Sequence, residues 1–477
     1  MPGSLLTRKT MAAFEADLAQ DGRSLRRALG ALDLVLLGIG CIIGTGIFVL
    51  TGVAAVHHAG PAVIASYAIA GIVCALAALC YSEFATMLPI SGSAYSYAYA
   101  TLGELVAWII GWDLILEYAL AASAVAVGWS GYARDILMGF GIEIPAAVAG
   151  SPGTLPGAVF NLPACLILLL MTALLVVGIR ESARANAVIV AIKLFVVLFV
   201  IAVGGFYVTP ANWSPFAPFG LQGIVTGAAT VFFAYIGFDA VTTAAEESRN
   251  PERDMTIGII GSLAACTVLY LAVAAVVTGM VPLDRIDTSA PVAQAFRTHG
   301  LDFAGGLISA GAIAGLSSVL LVLLLGQSRI FFAMSRDGLL PGLFSAVHAH
   351  YGTPHVATIG VGVIVAVIAG FVPLKELAEL ANIGTLFAFV VVSIGILVLR
   401  RTEPDRPRPF RTPWVPLLPL LAAGGSFWLM AALPSATWIR FLIWLGMGLV
   451  VYFGYSRHHS RVGRSPAEPE RAGRTSG

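Results

Sequence analysis

The chain has 477 residues, of which 58% are hydrophobic and only 11% charged, with a mean hydropathy of +0.89. A soluble domain carries about 25% charged residues, so a single water-soluble core is excluded and lipid must be the solvent. The net charge of +1 points to no nucleic-acid partner.

A polar N-terminal arm (1–30) opens the chain and lacks the apolar core of a cleavable signal, so the first apolar segment is expected to insert by itself. Twelve apolar runs follow, near 33–55, 61–88, 104–133, 161–179, 186–208, 224–247, 256–281, 302–335, 355–372, 376–399, 414–433 and 437–456. Each is long enough to be read as a crossing of a hydrocarbon layer about 30 Å thick. The linker 400–411 is rich in proline and charge and is expected to be an exposed loop, and the basic tail 457–477 to be disordered.

With the N-terminus inside, the cytoplasmic segments hold 21 of the 27 Lys and Arg residues and the outer segments 5, while Lys193 falls within a span. That bias predicts an even helix count in a cell membrane with both termini cytoplasmic.

Interruptions come next, in chain order. The first span reads GIGCIIGTGIF (38–48), with four glycines in nine residues. Each weakens a helix by about 0.5–1 kcal/mol relative to Ala. The cluster fits either a broken helix whose freed N–H groups bind an anion or close helix packing through Gly40 and Gly44. No Gly-Lys-Ser/Thr follows, which excludes a phosphate-binding loop. Glu83 lies near the inner end of the second span. Asp113 and Glu117 share one face of the third. These three either line a polar path or pair with neighbouring helices, and the pairing is favoured. Lys193 is flanked by apolar residues on both sides, at a cost of about 2.5–3.5 kcal/mol for a charge at a helix centre. A functional lysine that exchanges a proton is favoured over snorkelling.

The sixth span reads TVFFAYIGFD (230–239), where a glycine, aromatics and Asp239 again interrupt the apolar run. It lies five spans after the first interruption, where an inverted five-helix repeat would place its counterpart. Paired interruptions of this kind mark a transporter site. Asp239 is expected to cap the unwound segment or join a gate, and Glu246 and Glu247 to be interfacial. His57 and His58 fall in an outer loop, His348, His350 and His355 near an inner one, and His458 and His459 in the tail, all expected to be solvated. The five cysteines lack C-x-x-C spacing, and no metal cluster or Ser–His–acid set suggests an enzyme. No cofactor or metal is expected.

GIGCIIGTGIF (38–48), PISGSAYSYAYATLGE (89–104), FFAYIGFDAVTTAAEE (232–247) with the following NPERDMTIGI, and GQSRIFFAMSRDGLLP (326–341) together resemble the amino acid–polyamine–organocation superfamily. Within it, they are similar to the bacterial relatives of cationic amino acid transporters. The resemblance implies an all-α LeuT-type fold with repeats over 31–209 and 210–400, broken helices 1 and 6, and two further helices with their linker over 401–456. It implies alternating-access transport of small neutral amino acids, with exchange or cationic substrates as the alternative and a transporter-like receptor less favoured. The carboxylate would meet N–H groups around Thr45 and Gly46, and the ammonium the carbonyls of Ile42, Phe233, Ala234 and Ile236. Lys193 matches the helix-5 lysine of proton-coupled relatives, with Gly44 or the adjacent backbone and Ser317 or Ser318 beside it, so a proton is the expected coupling ion. Leu323 would wall the pocket, Phe232 and Phe233 close over the ligand, and Glu117 offer the nearest acid to a cationic side chain.

Overall fold

The computed structural model describes residues 7–9, 29–88, 93–178, 183–348, 350–351 and 353–461, apart from the side chains of Ser93, 183–186, Ala240, Thr243 and Glu246. Arg23, Arg26, Arg27, Arg180, Arg464, Arg471 and Arg474 therefore lie outside the described residues, as do 89–92 of the tyrosine-rich motif and the tail beyond 461.

The fold is all-helical, and among the described residues only isolated bridges, Leu29 with Ser248 and Ala149 with Asn161, pair extended backbone. A helix satisfies its own backbone, which hydrocarbon demands. The first span consists of α1 (Ala31–Ile42) and, after a three-residue gap, α2 (46–59). α3 (Val63–Met87), α4 (Ser93–Thr101), α5 (Glu104–Gly139), α6 (Leu162–Val177) and α7 (Ala183–Gly204) follow. The sixth span begins with α8 (Gly220–Val231), tightens over Phe232–Tyr235, breaks, and resumes over Asp239–Glu247. Then come α9 (Pro251–Met280), the short α10 (Pro291–Arg297), α11 (Asp302–Arg336), α12 (His355–Phe371), α13 (Leu374–Thr402), α14 (Leu417–Ala431) and α15 (Ser435–Val451). Among the described residues, seven stretches are long and apolar enough to cross a membrane, alongside five shorter apolar helices.

Helix lengths recur after the two breaks. Setting aside the short α4 and α10, the first is followed by helices of 25, 36, 16 and 22 residues, and the second by 30, 35, 17 and 29. α1, α3, α8 and α9 pack as one group, α5, α6, α11 and α12 as another, and α13 joins α5 to α3 and α14. The breaks lie where the groups meet.

The described residues nearest the two termini lie at the same end of the molecule. Lys9 Nζ donates to Asp337 Oδ1 at 2.7 Å, and the Arg461 amide donates to the Asp337 carbonyl at 3.1 Å. Tyr95 donates to Asp337 Oδ2 at 2.6 Å, while Glu104 accepts from Tyr99, Tyr452 and Ser460. At the opposite end Asp135 accepts from Arg297, Gln294 and Ser309, fastening α10 to α5 and α11.

The tyrosine-rich motif, read as a family signature, also forms the buried helix α4, whose Tyr95, Tyr97 and Tyr99 fill space beneath the spans. Three expectations need correction. The linker 400–411 is not simply an exposed loop. Its Arg408 is 8% exposed, its Arg400 forks onto Glu83 at 2.8 and 2.9 Å, and the Thr412 amide donates to the same carboxylate. Glu83 thus pairs structurally, because a fully buried carboxylate needs donors. The start of the tail is ordered, with Ser460 donating to Glu104 and the Arg461 amide to the Asp337 carbonyl at 3.1 Å. His57 and His58 extend the first span as its last helical turn rather than lying in a loop.

Candidate functional site

The two breaks are built differently. α1 ends where Ile43 turns extended (φ −72°, ψ 100°), and helix resumes at Gly46 without a side-chain cap; of its first-turn amides, that of Phe48 reaches Gly44 O at 3.3 Å. Neither Gly44 nor Gly46 has positive φ. Gly46 serves closeness instead: a Cβ there would stand 2.2 Å from Ala234 Cα, so the two broken spans touch backbone to backbone. In the sixth span Ile236 is extended (φ −58°, ψ 133°) and Gly237 has φ +111°, a conformation that side chains rarely adopt. The sequence left breakage and close packing as alternatives for the glycine-rich segment; it does both.

Tyrosines hold carbonyls at and around the breaks. The Tyr270 hydroxyl lies 2.7 Å from Ile42 O and 2.8 Å from Ala234 O, so its single proton is shared between the breaks. Tyr67 donates to Gly46 O at 2.8 Å, Tyr132 to Phe48 O at 2.6 Å and Tyr235 to Tyr67 O at 2.8 Å. Asn382 Nδ2 bonds the carbonyls of Ala229 and Thr230 just before the second break. Sequence reasoning missed all of these side chains. The available signal was a lone buried hydroxyl in an apolar helix, which must find a partner.

Between the breaks lies a cavity that encloses ≈ 570 Å³ of atom-free space, open solvent included. Ile42, Gly44, Thr45, Gly46, Glu117, Phe233, Ile236, Asp239 and Leu323 of the expected site line it, joined by Cys41, Tyr118, Ala121, Val125, Gly237, Val319 and Val322. All are buried except the half-buried Val322 and Leu323. Thr45 Oγ1 and Glu117 Oε2 are buried without a protein partner.

Some expected residues sit elsewhere. Ala234 is off the cavity wall, pressed against Gly46 with its carbonyl on Tyr270. Phe232 does not close over the cavity; it packs edge-on against Phe389, with ring centroids 5.6 Å apart. Fully buried Lys193 donates to Gly40 O at 2.6 Å, and its stem lies against Gly315. Gly44 faces Val319 rather than the lysine, and Ser317 bonds Ile313 O and Trp129 Nε1, while Ser318 is buried three residues beyond Gly315. The lysine therefore braces α1 just before its break. Asp239 opens the resumed segment, one residue past its capping position Phe238. Asp113 pairs with no neighbouring helix, and both its oxygens are buried without a protein partner.

Residues 29–464 match the model of a family described as amino acid permease. The chain belongs to the amino acid permease family. Among relatives of this permease, a methylthioribose transporter of Bacillus subtilis is 53% identical over 461 residues, covering 97% of this chain and 100% of the relative. A branched-chain amino acid permease from the same bacterium is 51% identical over 465 residues, again covering 97% and 100%. A vacuolar cationic amino acid transporter of Arabidopsis thaliana is 40% identical over 410 residues, 84% of this permease and 68% of the relative. The chain is thus a multi-span secondary amino acid transporter, and the cavity between its two broken helices is its candidate site.

Proposed function

We propose that this permease carries small neutral amino acids inward together with a proton, across a bacterial plasma membrane and with both termini cytoplasmic. The observation that carries the reading is the meeting of two uncoiled segments at one cavity. Uncapped amides at the start of α2 suit a carboxylate, and the second lone pairs of the Ile42 and Phe233 carbonyls suit an ammonium. Ala121, Val125, Val319, Val322 and Leu323 make the far wall apolar, which suits a short or branched side chain and agrees with the name of the branched-chain relative. The recurring helix lengths support two inverted repeats over 31–209 and 210–400, which would rock about the breaks to alternate access. The excess of arginine and lysine at the end holding the termini supports its cytoplasmic placement. Lys193, bonded to the carbonyl of Gly40, would couple the proton to the shape of α1.

Purified permease in liposomes tests this. An imposed inward proton gradient should drive accumulation of labelled alanine or valine, and Lys193→Met should reduce accumulation to equilibration; a variant that still concentrates substrate like wild type refutes the lysine's role. Exchange without net proton movement predicts uptake only against preloaded substrate. A second reading, a cationic side chain, is favoured by Glu117 and Asp239 on the cavity wall and by the names of the plant relatives. Competition among alanine, leucine, threonine, arginine, glutamate and methylthioribose decides between them.

A further inference from the structure

Asp113 is the most anomalous ionisable group of the described residues. It is 0% exposed, its two carboxyl oxygens have no protein hydrogen-bond partner, and it takes part in none of the ion pairs. The contrast with the other buried acids is plain. Glu83 has two arginines, Glu104 three hydroxyls, and Asp135 an arginine, an amide and a hydroxyl. An uncompensated carboxylate in such a place is expensive, and intramembrane ionisable groups mark ion and proton paths.

Its position fits that role. α5 runs from Glu104, at the end where the termini meet, to Asp135 at the other end. Asp113 lies about 14 Å along the axis from Glu104 and one turn short of Glu117, on the same face. Glu117 lines the cavity with Oε2 unpartnered and has Asp239 and the Thr385 hydroxyl beside it. Across from Asp113, α13 presents Gly384, where a Cβ would stand 2.8 Å from Oδ1, so the carboxyl fills the notch that this glycine leaves. Around Glu117, the acid next to Asp113, gather further acids and hydroxyls. Glu117 and Tyr118 belong to α5, Asp239 to the resumed sixth span, Thr385 to α13 and Tyr81 to α3. Toward the terminal end, Tyr95 of α4 packs on Gly111 and bonds Asp337, which holds Lys9.

We propose that Asp113 binds the transported proton on the inward half of the cycle, receiving it from Glu117 and releasing it toward the end of the molecule that holds both termini. The step is a single proton transfer. The O–H bond of the Glu117 acid breaks as one forms on Asp113, leaving Glu117 a carboxylate; Asp113 later gives the proton to water and becomes a carboxylate in turn, with no electrons exchanged. The inference rests on the proton coupling proposed above and places a second proton site beyond Lys193.

The test uses full-length permease in liposomes, comparing wild type, Asp113→Asn and Gly384→Ala. Gradient-driven accumulation, substrate counterflow and the infrared C=O stretch of protonated carboxylic acids are measured together. Asp113→Asn is expected to keep counterflow, lose accumulation and lose one acid C=O band. A variant that accumulates as wild type does, or leaves the acid bands unchanged, overturns the proposal. Should wild type itself ignore the gradient, proton coupling fails as a whole, which is a separate result. If Asp113→Asn does not fold, Gly384→Ala, which keeps the carboxyl and crowds it, must shift the same band; an unshifted band also overturns the proposal.

Discussion

The two breaks perform one task with opposite materials. The first gathers four glycines, yet neither Gly44 nor Gly46, which frame its turn, has positive φ, and Gly46 serves to let Ala234 approach. The second has a single glycine, Gly237, at φ +111°. Glycine count therefore does not measure backbone distortion. In one segment the missing Cβ makes room for a neighbouring chain, and in the other it permits the turn itself.

Substitution can separate these roles. Gly46→Ala should be the most damaging, because its methyl meets backbone, which cannot swing aside as a side-chain tip can; overpacking costs about 1–3 kcal/mol or more, a loss of about 5–150-fold in substrate affinity. Equilibrium binding of labelled substrate checks it, and near-normal affinity would show that the breaks do not need to touch. Gly237→Ala should follow closely, since a side chain at that φ is strained by about 1–3 kcal/mol and its Cβ would lie 3.1 Å from Cys41 O. Here thermal stability should fall along with affinity, whereas a change in affinity alone would mean that the resumed helix shifts to relieve the turn. Tyr270→Phe should have the smallest effect, about 0.5–1.5 kcal/mol for one lost hydrogen bond. Because that hydroxyl serves both Ile42 and Ala234, its loss should loosen both breaks, visible as faster amide exchange at 43–46 and 236–238 alike.

Much of the scaffold was legible without coordinates. The apolar runs predicted every span to within a few residues, since a stretch of Leu, Val and Ala records its solvent locally. The interruptions at 43–45 and 236–238 were legible for the same reason, being local departures from an apolar helix. The ends of the molecule were less so. Charge and proline suggested an exposed linker at 400–411, but Arg400 and Arg408 fold onto Glu83, more than 300 residues earlier. A local reading counts a charged residue as solvated unless it can foresee the partner.

The sequence by itself determined a lipid-embedded, twelve-span chain with two unwinding points and a few ionisable groups at membrane depth, because hydropathy and glycine content act through the nearest residues. Tertiary structure alone decided which groups meet: Gly46 against Ala234, Tyr270 across both breaks, Lys193 on Gly40, and Lys9 and Arg461 on one aspartate. It also decided that Asp113 meets no donor. Such pairings join helices far apart in the chain, and they are set by how whole helices pack rather than by any segment's own preference.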